Sequence, residues 1–202
     1  MRPHVVAQLA VSIDGATTGF EADQARFYAL ATLWQEDVTL VGADTILAQE
    51  SAVRAAARPG PRVAGPLLAV VDSRHRVRTL EALRELGYWS GVIGLYSDQT
   101  PARSPDSTIA ELVTGYDRVD LAEALELLGR RGAEVVRVDS GGTLLGVLLD
   151  LGLIDELSLL VHPVLVGAGP RWNGSFTDRL DLKLANTEVF EGGVVWLRYC
   201  TA

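Results

Sequence analysis

Residues 134–152 read EVVRVDSGGTLLGVLLDLG. Glu134 to Val138 is a short β-branched run and reads as a strand. Asp139-Ser140-Gly141-Gly142 is a polar turn, and the leucine-rich stretch after it reads as a helix to about Leu151, stopped by Gly152. Two glycines therefore open a helix directly after a strand. Backbone N–H groups and the helix dipole at such a place favour a phosphate. The turn is neither G-x-G-x-x-G nor a G-K-[ST] phosphate loop. It reads equally well as a tight strand-to-helix connection that needs a positive φ.

Working outward, the same alternation recurs. His4 to Val11 is a strand ending at Ser12-Ile13-Asp14-Gly15. Ala22 to Trp34 has helical spacing. Val38 to Val41 is a strand ended by Gly42, with a short helix over Ala43 to Leu47. Ser51 to Pro66, rich in Pro, Gly and Arg, reads as a loop. Leu67 to Val71 is the unbroken apolar run of a strand buried on both faces. Leu80 to Leu86 is a helix, Gly91 to Tyr96 a strand and Asp98 to Asp106 a polar turn. Leu121 to Arg131 is an amphipathic helix with Asp120 as N-cap and Gly132 as stop. Leu157 to Val166 reads as a strand bent at Pro163. Leu182 to Phe190 and Val194 to Tyr199 form a hairpin around Glu191-Gly192-Gly193. The expected fold is α/β: a single domain over residues 1–202, with a mostly parallel central sheet, flanking helices and a C-terminal antiparallel hairpin.

The chain has 202 residues, 48% hydrophobic and 22% charged, an ordinary globular composition. A formal net charge of −8 disfavours a nucleic-acid partner. Cys200 has no partner cysteine, which fits a reducing compartment and excludes a cysteine-based zinc site. No signal peptide and no membrane span are legible. The protein reads as soluble and cytoplasmic, acting on a small molecule.

In a parallel sheet, ligands bind at the carboxyl ends of strands. Four turns qualify: Ser12–Gly15, Gly42–Thr45, Asp72–Arg74 and Asp139–Thr143. Gly42 permits close approach and Thr45 offers a hydroxyl. Arg74, Arg76 and Arg78 follow a buried strand, where a guanidinium suits the 2′-phosphate of NADP. For Asp14 and Asp72 the expected role is capping the next turn.

LAVSIDG (Leu9–Gly15), LVGADTILA (Leu40–Ala48), VVDSRHRV (Val70–Val77) and VDSGGTLLGVLLDLGLIDELSLLVHPVLVG (Val138–Gly167), in this order, resemble the pyrimidine reductase family of riboflavin biosynthesis. This is the reductase domain of the bifunctional deaminase-reductase, with a dihydrofolate-reductase-like fold. The zinc deaminase motifs H-x-E and P-C-x-x-C do not occur. The resemblance implies NADPH as hydride donor, bound at Ala10, Gly42, Thr45, Ser73, Arg74 and the Gly141-Gly142-Thr143-Leu144 turn. It implies Asp139 in place of a substrate-contacting glutamate, as the catalytic and substrate-binding residue. Arg54 is the remnant of the family's substrate-contacting R-L-T-V-R segment. It also implies a homodimer, whose apolar C-terminal strands would leave an edge to cover. The reaction implied is reduction of the ribosylamino group of a phosphorylated pyrimidine to ribitylamino.

The sequence departs from the family on the substrate side. No Ser-x-Trp follows the first Asp-Gly, Leu33 stands at the phosphate-site arginine, and Gln49 replaces an aspartate. A reductase of another pyrimidine or a pterin, or a non-catalytic nucleotide-binding relative, is the alternative.

Overall fold

The computed structural model describes residues 1–101, 107–174 and 176–201. It has one nine-stranded sheet in the order β5 (Ala110–Val113), β4 (Gly91–Tyr96), β3 (Leu67–Val71), β2 (Val38–Gly42), β6 (Val135–Val138), β1 (His4–Ser12), β7 (Glu156–His162), β9 (Val195–Thr201), β8 (Leu182–Val189). The chain divides into two compact units: Met1–Pro3 with Glu36–Val136, and His4–Gln35 with Arg137–Ala202. Strand β6 (Val135–Val138) begins in the first and ends in the second.

In unit one, β2 (Val38–Gly42), β3 (Leu67–Val71), β4 (Gly91–Tyr96) and β5 (Ala110–Val113) pair in parallel, with Leu67 opposite both Val38 and Gly91. Parallel pairing requires crossovers. They are α2 (Ala43–Ala48), α3 (Glu50–Ala55) and α4 (Leu80–Arg84), whose Ile46, Val53, Leu80 and Leu83 pack on Leu68, Val70 and Val92. Helix α5 (Leu121–Arg130) is capped by Asp120, whose carboxylate accepts from the Glu123 N–H, and buries Leu121, Ala124, Leu125 and Leu128. The periodicity of that segment predicts this face.

In unit two, β1 (His4–Ser12) lies parallel to β7 (Glu156–His162). The strands β8 (Leu182–Val189) and β9 (Val195–Thr201) then add antiparallel to β7. Helix α1 (Gln24–Ala31), capped by Asp23, places Phe27 in a cluster with Leu160, Val194 and Trp196. Helix α6 (Gly142–Asp150) buries Leu145, Leu148 and Leu149.

The α/β class, the parallel body and the closing hairpin are as the sequence predicts. Three local expectations are corrected. Residues 51–55 are helical, because Ala and Arg are good helix formers and the breakers begin only at Pro59. The strand expected through Val166 stops at His162, before Pro163, which has no N–H to continue the ladder. The sequence reading missed β5, in which only Leu112 is buried. Positions 102–106 of the turn expected over Asp98–Asp106 lie outside the described residues. Among the described residues no helix is long and apolar enough to cross a membrane.

Leu125 is 1% exposed, whereas Glu126 beside it faces solvent. Leu125→Ala is expected to cost about 2–5 kcal/mol of stability and Glu126→Ala less than about 0.5 kcal/mol, read from urea unfolding midpoints.

Candidate functional site

Unit one brings together four of the predicted residues. Gly42 and Val71 are register partners at the ends of β2 and β3, so the turns that follow them are neighbours. Gly42 is the N-cap residue of α2, and no side chain caps that helix. Neither Asp44 nor Thr45 caps it: Asp44 instead forms an ion pair with Arg76, Nη1 to Oδ1 at 2.8 Å, which ties the two turns. Thr45 is half-buried in the first turn of α2.

The second turn is built on Asp72, whose Oδ2 accepts from the Val77 N–H at 2.7 Å, as expected of a turn cap. The Ser73 hydroxyl accepts from the Val119 N–H, and its carbonyl accepts from the Thr100 hydroxyl, each at 3.0 Å. The three arginines then separate by role. Arg76 is paired with Asp44, and the Arg78 guanidinium lies 3.1 Å from the His75 ring. Arg74 is exposed, and among the described residues its side chain makes no ion pair or hydrogen bond. Arg54 lies on α3 and not at a strand end; its Nη2 donates to Glu50 Oε1 at 2.7 Å.

Unit two holds the rest. Asp139 follows β6 and forms an ion pair with Arg137, Nη1 to Oδ2 at 3.2 Å. Sequence reasoning missed Arg137, which sits at alternate spacing from Asp139 inside an otherwise apolar strand. The glycine turn is explained by its surroundings. A Cβ on Gly141 would lie 3.0 Å from Leu9 Cδ2 and 3.1 Å from Thr17 Cγ2, and Gly142 has φ +62°. The Gly142 N–H donates to the Trp172 carbonyl at 2.9 Å, so this amide is not open to a ligand as the sequence reading expected. The N–H groups of Thr143 and Leu144 lie in the first turn, where an α-helix supplies no partner of its own. Ala10 is half-buried in β1 opposite Leu160 and packs on the Phe27 cluster.

Asp14 does more than cap its own turn. Its Oδ1 accepts from the Ser12 hydroxyl at 2.6 Å and the Val166 N–H at 3.1 Å. Its Oδ2 accepts from the Gly167 N–H at 2.8 Å and Arg171 Nη1 at 3.1 Å. The Ser12 hydroxyl, then the two amides, hold this carboxyl well below its ordinary range, with a smaller contribution from Arg171. The Trp172 N–H donates to the Gly15 carbonyl. The segment after β7 is thereby fastened to the turn after β1, and Trp172 reaches the glycine turn from it. Arg171 and Trp172 carried no recognisable motif.

The model of the RibD C-terminal domain family matches residues 3–196. A 2,5-diamino-6-ribosylamino-4(3H)-pyrimidinone 5′-phosphate reductase of Archaeoglobus fulgidus is 28% identical over 182 residues, 83% of this chain and 83% of that protein. The enzyme of the same name from Methanothermobacter thermautotrophicus is 33% identical over 186 residues, 83% of this chain and 81% of its own. Among solved structures, a pyrimidine reductase-like protein of Corynebacterium diphtheriae shares the fold with TM-score 0.74 at 19% identity, over 99% of this chain and 92% of that one. A riboflavin biosynthesis reductase of Saccharomyces cerevisiae gives 0.71 at 17% identity, over 100% and 90%.

Two outcomes follow from this geometry. Gly142→Ala is expected to cost about 1–2 kcal/mol, because an alanine at positive φ is strained, read as a lowered urea midpoint. Asp14 has a depressed folded-state pKa. Its stabilisation is complete above the ordinary carboxylate range of about 4 and is lost as pH falls below it. The wild-type midpoint is expected to fall between about pH 4 and pH 2 more steeply than that of Asp14→Asn; parallel curves would contradict this.

Proposed function

The chain belongs to the RibD C-terminal domain family, the reductases of riboflavin biosynthesis, and from that premise we propose that it uses NADPH to reduce a phosphorylated ribosylaminopyrimidine to its ribitylamino product. The names of the two archaeal relatives favour the 2,5-diamino-pyrimidinone as substrate. The deaminated uracil congener is the second reading. NADPH, when bound, would supply a hydride to C1 of the substrate's open-chain imine, whose C=N electron pair would pass to nitrogen and take up a proton.

The supporting observation is a carboxylate, Asp139, at the rim of a strand end immediately before a glycine turn that opens the nine-residue α6. Asp139 would orient the substrate by accepting from its hydroxyl or amino groups. In unit two, the Thr143 and Leu144 amides suit a cofactor phosphate. In unit one, Arg74 beside Ser73 suits a 2′-phosphate, since Arg76 and Arg78 are engaged elsewhere. Gly42, Thr45 and Ala10 are assigned to the cofactor with them.

Arg54 is assigned to the substrate; Glu50 takes only its Nη2. The departures on the substrate side make the identity of the pyrimidine the point to test. A second copy of the chain is assigned to the edge strand β8, all eight residues of which are exposed, including Leu182, Leu184 and Val189. A monomeric mass in sedimentation at micromolar concentration would count against that dimer.

NADPH oxidation with each of the two pyrimidines tests the reading directly, and turnover of neither would overturn it. In calorimetric titration, Arg74→Ala is expected to weaken NADPH by roughly 10- to 100-fold and leave NADH unchanged, as one charge-assisted contact to a phosphate requires. Equal losses for both cofactors would remove Arg74 from the 2′-phosphate site.

A further inference from the structure

Resting on the reading of Asp139 as substrate-binding, we propose that Arg137 is its positioning residue: the guanidinium holds the Asp139 side chain at the end of β6 as a hydrogen-bond-accepting carboxylate, and not as a proton-donating acid. The placement follows from the pleat. Residues two apart on a strand share a face, about 6.6–7 Å apart. Val136 and Val138 fill one face of β6, each fully buried. Arg137 and Asp139 belong to the other, and an arginine side chain is long enough to span that spacing.

The two partners are unequally exposed. The Arg137 side chain is 5% exposed and that of Asp139 is 30%. The cation therefore lies inside, and the carboxylate is the partner nearer solvent. Opposite charge at 3.2 Å favours the ionised form. A carboxylate so held can accept from an N–H or O–H of the substrate, and the proton that accompanies hydride transfer then comes from a donor other than Asp139. Two other titratable groups at strand ends of unit two are engaged elsewhere. Asp14 is held by Arg171, Ser12, Val166 and Gly167. The His162 ring accepts from the Asp23 N–H at Nε2 and meets the Leu160 carbonyl at Nδ1.

The same asymmetry chooses the variants. Removing Asp139 would take an ion-pair partner from a buried cation. Removing Arg137 leaves a carboxylate that water can reach, so Arg137→Met is expected to fold, and Arg137→Lys restores the charge. The measurement is ¹³C NMR titration of the aspartate carboxyls in the unliganded protein, with the Asp139 signal assigned by its loss in Asp139→Asn. In Arg137→Met the Asp139 carboxyl is expected to bind its proton at least tenfold more tightly than in the wild type, and in Arg137→Lys to return most of the way.

In turnover, the acid limb of the kcat/KM profile is expected to move to higher pH by the same factor, with the pyrimidine KM raised and the NADPH KM unchanged. An unmoved Asp139 titration in Arg137→Met overturns the proposal even if activity falls, because the loss is then one of folding alone. A moved titration in a wild-type protein that turns over neither pyrimidine supports the positioning and overturns the reductase reading instead.

Discussion

The arrangement of unit two's loops depends on one carboxylate. Asp14 gathers two side-chain and two backbone donors onto its oxygens, three of them contributed by residues 166–171. A carboxylate answered by four donors is a strong, charge-assisted anchor. Backbone bonds from the Ile13, Thr17 and Trp172 amides join the same two segments. With them and Asp14, Trp172 is delivered to the Gly142 amide. The glycine turn at the start of α6 thus inherits its geometry from an aspartate at the end of a different strand.

Unit one solves the same problem with a different bond. Its candidate residues lie after β2 and β3, where parallel pairing sets strand ends side by side. The Asp44–Arg76 ion pair joins the two turns, and the Ser73 hydroxyl and carbonyl fix the second turn to Val119 and Thr100. These contacts engage Arg76 and Arg78, whereas the Arg74 side chain makes no ion pair or hydrogen bond among the described residues. A cluster of three arginines in the sequence is one candidate contact in the structure, and only the pairing partners tell which.

What was legible in the sequence follows from range. Leu67–Val71 reads as a buried strand because five apolar residues in a row have no other use, and α5 reads as a helix because Leu121, Ala124, Leu125 and Leu128 lie on one stripe. The polar strand ends were legible for the same reason. The four-residue β5 was not, because an edge strand with one buried side chain has no period to read. The helix α3 was hidden by the Pro and Gly that follow it. The Asp14 clasp spans 152 residues between Asp14 and Val166, and no local pattern encodes a contact of that range. Arg137 was visible as a residue but not as half of a pair, since periodicity shows which face a side chain takes and not what it meets there.

Arg137 is the residue that packing explains least. A guanidinium within β6 must be stripped of water, and buried ion pairs are commonly no more stabilising than apolar residues of the same shape. Stability alone would put another valine or leucine between Val136 and Val138. The cost of losing either partner is also lopsided. Taking a carboxylate from a buried arginine costs up to about 3–5 kcal/mol, whereas a rim carboxylate can be rehydrated. A substitution at Asp139 therefore disturbs folding and chemistry together, and a loss of activity there does not by itself identify a catalytic group. The charge beneath Asp139 can be changed while Asp139 itself stays in place, which makes Arg137 the position at which the electrostatics of this strand end can be separated from its architecture.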